Sequence, residues 1–283
     1  MPEAIQTLQG LLEGAGQLLA TAGVPDSRRE AIRIWSDLDR SGAAATMLAR
    51  GESVVGERAT AYLATVGRRA AGEPLAYVTG WTGFRHLTLA TDARALIPRP
   101  ETEGLVELAL ARVRQGAAAD IGTGTGAIAL ALVDEGDFES VAAVDFSAEA
   151  LDLARSNGKR LDLEVEWLEG DLMAPLAGRR LDLVVSNPPY LTDAEYSALD
   201  PSVRDFEPRL ALPSGADGLT VIRRLLDEGR AVTAPGGWMA LEVDCRRAAA
   251  TAALAEGFGW REVSVQDDLF GRARYVLARQ GFN

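Results

Sequence analysis

The sequence predicts an α/β fold with a mixed, mainly parallel sheet covered by helices on both faces, preceded by a small all-helical domain. Three observations predict it. Helical periodicity runs through residue 75, strand-like runs alternate with helical stretches after residue 100, and two strand-like runs close the chain with no helix between them.

Within residues 1–75, apolar side chains recur at helical spacing (Ile5, Leu8, Leu11, Leu12, then Ala31, Ile32, Ile34, Trp35, Leu38). Turn signals at residues 23–27 and 40–42 interrupt them, so this stretch reads as a helical domain. The texture then shifts to YVTGWTGFRHLTLATDARALIP, whose threonine, aromatic and aliphatic residues suit a β-hairpin or extended linker over 76–100. From 101 to 283 we expect the second domain, with strands at 117–121, 141–146, 164–168, 181–186 and 238–243. Helices at 102–114, 127–135, 148–160 and 219–231 separate them. The runs 261–266 and 274–278, joined by DDLFG, imply an antiparallel hairpin on the sheet edge. The first strand, AAADI, is unusually alanine-rich for a core strand.

Composition narrows the chemistry. The single cysteine, Cys245, excludes an internal disulfide, and with one histidine, His86, no His/Cys metal site can be assembled. No window approaches the roughly 18 uncharged apolar residues of a membrane span, and the N-terminal stretch carries glutamates where a signal peptide carries lysines. A cytoplasmic location with no membrane contact is therefore expected. A net charge of −12 repels nucleic acid as a direct ligand. Lys159 is the only lysine among the 29 basic residues, and the arginine and alanine excess reads as composition bias. Any catalysis must work without histidine, cysteine or a lysine cluster. His86 reads as a hairpin residue, Cys245 as a small packed side chain, and Trp81 and Phe84 as packing for the linker.

Two stretches carry chemistry. The turn after the first strand, Asp120-Ile-Gly122-Thr123-Gly124-Thr125-Gly126, lets backbone approach a ligand ahead of a helix N-terminus. Its G-x-G-x-G spacing departs from the G-x-G-x-x-G of dinucleotide sites. About 20 residues on, Asp145 ends the second strand, where a carboxylate can take both hydroxyls of a ribose. The second stretch, Asn187-Pro188-Pro189-Tyr190, ends the fourth strand beside the same crevice. A planar amide or aromatic amine can be aimed by accepting both of its N–H groups, here with the Asn187 side-chain oxygen and the Pro188 carbonyl. Tyr190 would stack on its plane while the two prolines stiffen the turn.

The glycine turn with Asp145 resembles the S-adenosylmethionine site of the class I methyltransferases, a Rossmann-like fold. That resemblance implies a cofactor site of Asp120, Gly122, Thr123, Gly124, Thr125, Gly126, Asp145, Asp171, Leu172 and Asn187. Asp171 and Leu172 would lie by the adenine. NPPY resembles the motif of amino-methyltransferases acting on adenine in DNA, guanine in RNA or glutamine in proteins. Four further stretches narrow the choice: GEPLAYVTG (72–80), IPRPETE (97–103), VRDFEPRLAL (203–212) and DGL (217–219). With DIGTGTGAIALAL and VVSNPPY they are similar, in order, to the protein-glutamine methyltransferases that modify bacterial peptide chain release factors. The resemblance implies methyl transfer to the glutamine of a Gly-Gly-Gln loop, and a helical domain that holds the protein substrate. It also implies Asn187, Pro188 and Tyr190 as catalytic residues, Pro189, Arg99 and Glu101 as further substrate contacts, no metal, and a monomer. An amino-methyltransferase acting on a nucleobase or on another protein glutamine is the alternative. Arg204, Glu207 and Arg209 could form a wall of the glutamine pocket. One departure stands out: where the family commonly has Glu-x-Gly after the fifth strand, this chain has Glu242-Val243-Asp244.

Overall fold

The computed structural model describes residues 6–54 and 56–282, so Ile5 lies outside the described residues. It comprises two units, Met1–Trp81 with Asp200–Phe206, and Thr82–Leu199 with Glu207–Asn283. The expected linker at 76–100 is thus no separate body, and the first unit also draws in a later segment that carries no helical-domain signature in sequence.

In the first unit the helices Leu8–Thr21, Ser27–Asp39, Gly42–Leu48 and Gly56–Ala70 arise where the periodicity predicts them. The Thr7 hydroxyl caps the first by accepting from Gly10 N, and Arg40 ends the second in the left-handed region. Leu8, Leu11, Leu12, Ala15 and Leu19 form one buried stripe that meets Ile34, Trp35, Tyr62 and Val66. Trp35 and Tyr62 pack edge to face, and the Tyr62 hydroxyl donates to Ala31 O. The unit is not purely helical. Strands β1 (Gln6–Thr7) and β2 (Ser53–Val54) form a short antiparallel pair. A short helix, Leu75–Thr79, occupies the start of the expected linker.

The expected hairpin is present as β3 (Trp81–Phe84) and β4 (Leu87–Ala90), with His86 in its turn. The main sheet follows, built from β5 (Gln115–Ile121), β6 (Asp137–Asp145), β7 (Glu166–Glu169), β8 (Leu181–Ser186), β9 (Thr233–Glu242), β10 (Arg261–Asp267) and β11 (Ala273–Arg279). Their order across the sheet is β10-β11-β9-β8-β5-β6-β7. The pairs from β9 through β7 are parallel, and β11 joins β9 and β10 antiparallel. This is the mixed sheet that the sequence predicts.

Period-2 alternation sends Ala118, Leu183 and Val185 to one apolar cluster and Ala119, Val184 and Leu241 to the other. Helices Pro100–Leu110 and Ala127–Glu135 contribute to the first cluster, Thr220–Val232 and Ala248–Gly257 to the second. The alanine-rich strand is explained by its place. As an interior strand, β5 shares an apolar cluster with Ala127, Ala129 and Ala131, and small side chains suit close packing better than intrinsic strand propensity would suggest. Helix Ala248–Gly257 is not anticipated in sequence. Its buried face is only Ala248, Thr251 and Ala255, too weak a polarity contrast to read as amphipathic. The chain steps from β5 to β6 and β7 on one side, then returns to β8 on the other. The loops after β5 and β8 therefore part, opening a crevice at the carboxyl ends of both strands.

Candidate active site

The glycine turn is held from beneath by Asp120. Its Oδ2 accepts from the Thr123 hydroxyl at 2.6 Å and from Ala129 N at 3.1 Å. Gly122 N and Thr123 N both donate to Val144 O, tying the turn to β6. Gly122, Gly124 and Gly126 have φ of 74°, 56° and 84°, the left-handed region that glycine occupies without a Cβ penalty. Asn157, which sequence reasoning missed, is fully buried. It donates to Thr125 O and Ala90 O and accepts from Ala90 N, clamping the turn to β4.

Asp145 ends β6 with Oδ2 accepting from Gly124 N at 2.8 Å and Oδ1 from Ser147 N at 2.9 Å. Each oxygen keeps a lone pair for a ligand hydroxyl. Burial raises the Asp145 pKa, and the backbone amides of Ser147, Gly124 and Phe146 counter that shift. The next residue, Phe146, is 67% exposed, an apolar ring beside the acid that the sequence reading did not select. Asp171 is held by a two-pronged pair with Arg224, and Leu172 sits at φ 47°, an unusual conformation for a branched side chain.

At the end of β8 the Ser186 hydroxyl donates to Ile121 O, binding the strand end to β5. Asn187 Nδ2 donates to Thr102 Oγ1 at 3.0 Å, and Thr102 Oγ1 donates to Glu242 Oε2 at 2.7 Å. Leu191 N donates to Leu212 O and Ser214 N to Leu191 O, which brings the last residue of the VRDFEPRLAL stretch alongside the end of NPPY. Arg99 reaches Glu207, itself 5% exposed, whose other oxygen accepts from Ile97 N.

These groups surround a cavity of about 670 Å³, within the range of small-molecule sites. Of the residues expected at the site, Gly122, Thr123, Gly124, Thr125, Asp145, Asp171, Leu172, Asn187, Pro189 and Arg99 line it. Thr102, Phe146 and Arg209 line it as well, and Arg209 lies over the Tyr196 ring. Five expected residues are not on its wall. Asp120 is turned under the loop, Gly126 packs against Trp167 and Ala154, and Pro188 is buried. Tyr190 packs on the apolar cluster below the sheet, while Glu101 offers its backbone carbonyl to the Tyr275 hydroxyl. Arg204 belongs to the first unit and pairs with Asp205. Cys245, expected to be packed, is exposed because it lies beyond the end of β9.

Burial pushes the Asp120 carboxyl from its ordinary 3.8 up to about 7, with Oδ1 buried and unpartnered. Between those pH values the folded chain holds a proton that the unfolded chain has lost. Stability therefore falls as pH rises through that window and levels off above it. Asp120→Asn lacks this term, so its stability relative to the unsubstituted chain should climb from pH 4 to 7 by on the order of a few kcal/mol. Denaturant titrations of both proteins across that range check it, and parallel pH curves would contradict it.

Residues 10–80 match the PrmC N-terminal domain and residues 101–204 the methyltransferase small domain. A release factor glutamine methyltransferase of Deinococcus radiodurans is 42% identical, over 96% of this chain and 98% of its own length. One of Nitratidesulfovibrio vulgaris is 39% identical, over 97% and 95%. This chain belongs to the release factor glutamine methyltransferase family. Among solved structures, a methyltransferase from Pyrococcus furiosus matches with a TM-score of 0.53 at 20% identity, covering 69% of this chain and 89% of that one, a likeness of fold. The class I methyltransferase fold expected from sequence is the one observed.

As a family member the chain departs at Asp244, and the structure gives that residue a role. Asp244 accepts from Arg246 and lies 3.5 Å from Arg247, while both arginines also reach Glu195 in the helix that follows NPPY. Its carboxyl is held below its usual range, chiefly by the Arg246 hydrogen bond. An ion-pair cluster thus braces the loop at the position of the missing glycine. Arg247 Nε also donates to Asp217 O, beside Gly218 of the DGL stretch. Gly218 has φ 72°, and a Cβ there would come within 2.3 Å of both Tyr190 O and Arg247 Nε. Gly218→Ala should cost roughly 2–4 kcal/mol, combining left-handed strain with overpacking against backbone. Urea unfolding measures it, and a loss below about 0.5 kcal/mol would refute the tight fit.

Proposed function

We propose that this protein methylates the side-chain amide nitrogen of the glutamine in the Gly-Gly-Gln motif of peptide chain release factors, using S-adenosylmethionine. Family membership supports the reaction, and the observation that carries it to this chain is Asn187. Its amide stands on the cavity wall at the end of β8 with the nitrogen already engaged by Thr102. That leaves its oxygen as an acceptor for an N–H of a planar amide.

The residues suit the cofactor. The turn Gly122–Thr125 lets the backbone come close to a ligand ahead of a helix N-terminus, and Asp145 offers two acceptor oxygens to vicinal hydroxyls. Phe146, Asp171 and Leu172 line the wall where an adenine would lie. Bound there, S-adenosylmethionine would supply an electrophilic methyl on sulfonium for transfer to the amide nitrogen, with the sulfur becoming a neutral thioether and the amide N–H proton passing to solvent. The chain's own contribution is alignment: the Asn187 oxygen accepts an N–H of the incoming amide, which turns the nitrogen toward the methyl. Arg99, held by Glu207, and Arg209 stand at the same cavity and contact the substrate loop. The helical first unit engages the release factor.

Among the described residues no helix is long and apolar enough to cross a membrane. The net charge of −12 favours a protein acceptor over a nucleic acid. Incubation with methyl-labelled cofactor, a release factor, its Gln→Ala loop variant, and DNA or RNA tests the reading. Label is expected on the unsubstituted factor alone. Label on nucleic acid, or equally on the variant, would overturn it.

A further inference from the structure

We propose that Glu242 and Thr102 are positioning residues that set the polarity of the Asn187 amide, holding its oxygen toward the acceptor through the relay Glu242, Thr102, Asn187. The inference rests on the assignment of Asn187 as the amide-binding residue. Three distant parts of the chain supply the relay: the end of β9, the first turn of helix Pro100–Leu110, and the residue after β8. Leu241 pairs with Ser186 in the sheet, so the neighbouring positions 242 and 187 emerge side by side. Pro100 starts the helix that presents Thr102 between them.

A hydroxyl has one proton. Thr102 gives it to Glu242 over 2.7 Å, so toward Asn187 its oxygen can only accept, and only the NH₂ of the Asn187 amide can face it. A flipped amide would set two acceptor oxygens against each other with no proton between them. The relay thus converts a symmetric-looking side chain into one with a defined direction, oxygen to the cavity.

This accounts for a carboxylate where burial opposes one. Glu242 is 1% exposed, Thr102 4%, and the only hydrogen bond to the Glu242 side chain among the described residues comes from Thr102. No arginine lies within ion-pair distance of it among those residues. An amide at this place could offer Thr102 either a donor or an acceptor, and Asn187 would then be free to turn over. An ionised carboxylate is acceptor-only, so it alone makes the direction unambiguous.

The same logic yields a pH dependence. A protonated Glu242 can donate to Thr102, which then donates to Asn187, and the preference is lost. Burial pushes the Glu242 carboxyl from 4.5 up to about 7. Arg274 from β11 and Arg99 before the helix lower it, Glu101 in the helix raises it, and Tyr190 and Tyr275 also face it. The ionised relay therefore prevails above neutrality and is lost as pH falls below about 7.

The test uses the full-length chain with release factor and S-adenosylmethionine, comparing Glu242→Gln, Thr102→Val and Thr102→Ser. Thr102→Val and Glu242→Gln should each lower kcat about 10- to 100-fold, with affinity for S-adenosylhomocysteine within threefold. Thr102→Ser, which keeps the hydroxyl, should recover most of the rate that Thr102→Val loses. The unsubstituted enzyme's kcat should fall with one proton below pH 7, and Glu242→Gln should flatten that limb. Equal rates for Thr102→Val and the unsubstituted enzyme, no rescue by serine, or an unchanged acid limb in Glu242→Gln would overturn the relay. Should Glu242→Gln not fold, the valine and serine pair decides alone. Failure of the unsubstituted chain to label release factor would instead refute the functional reading on which the relay rests.

Discussion

Asn187→Ala should lower methyl transfer by on the order of 10²- to 10³-fold at saturating substrates, while the dissociation constant for S-adenosylmethionine stays within a few-fold. The asymmetry follows from position. Asn187 stands at the end of β8 with its nitrogen spent on Thr102, so truncation removes an acceptor aimed at the incoming amide. The cradle for the cofactor is built on the other strand ends: Asp120 still holds the glycine turn and Asp145 still holds Gly124. Single-turnover labelling gives the rate and calorimetry the cofactor affinity. A cofactor affinity that collapses along with the rate would show that Asn187 holds the donor and does not aim the acceptor.

Asp145→Ala should do the reverse, weakening cofactor binding by about 10²-fold. Two effects combine. The oxygens that would take vicinal hydroxyls disappear, and Gly124 N and Ser147 N lose their partners, so the turn that lies under the cofactor loosens. Hydrogen bonds to a charged acceptor contribute about 1.5–3 kcal/mol each. Asp145→Asn should rescue little, since its amide nitrogen cannot accept from a backbone N–H. Binding of S-adenosylhomocysteine by calorimetry measures the loss, and a change under threefold for Asp145→Ala would exclude the ribose role.

Much of this site was legible in the chain. The glycine turn, Asp145 and NPPY are contiguous motifs, and each is local chemistry: positive φ, a carboxylate at a strand end, prolines at a turn. Strand alternation in LDLVVS and the helical stripe of Leu8, Leu11 and Leu12 were equally local and formed where periodicity put them. Thr102 was written in IPRPETE, yet its neighbours Arg99 and Glu101 drew the reading because charge is conspicuous and a hydroxyl is not. Glu101 instead offers its backbone carbonyl to Tyr275. Asn157 and Glu242 had no local signal, since their partners lie across the fold.

The sequence by itself determined the kind of fold, and its resemblance to a known family the kind of reaction, because turn geometry, periodicity and contiguous motifs are properties of neighbouring residues. Only the tertiary structure decided which expected residues reach the cavity. It turned Asp120 beneath the loop, set Tyr190 on the core, and brought Glu242 within reach of Thr102 across a separation of 140 residues. Buried polar groups must find partners wherever the folded chain supplies them, and that choice is made by packing, not by spacing along the sequence.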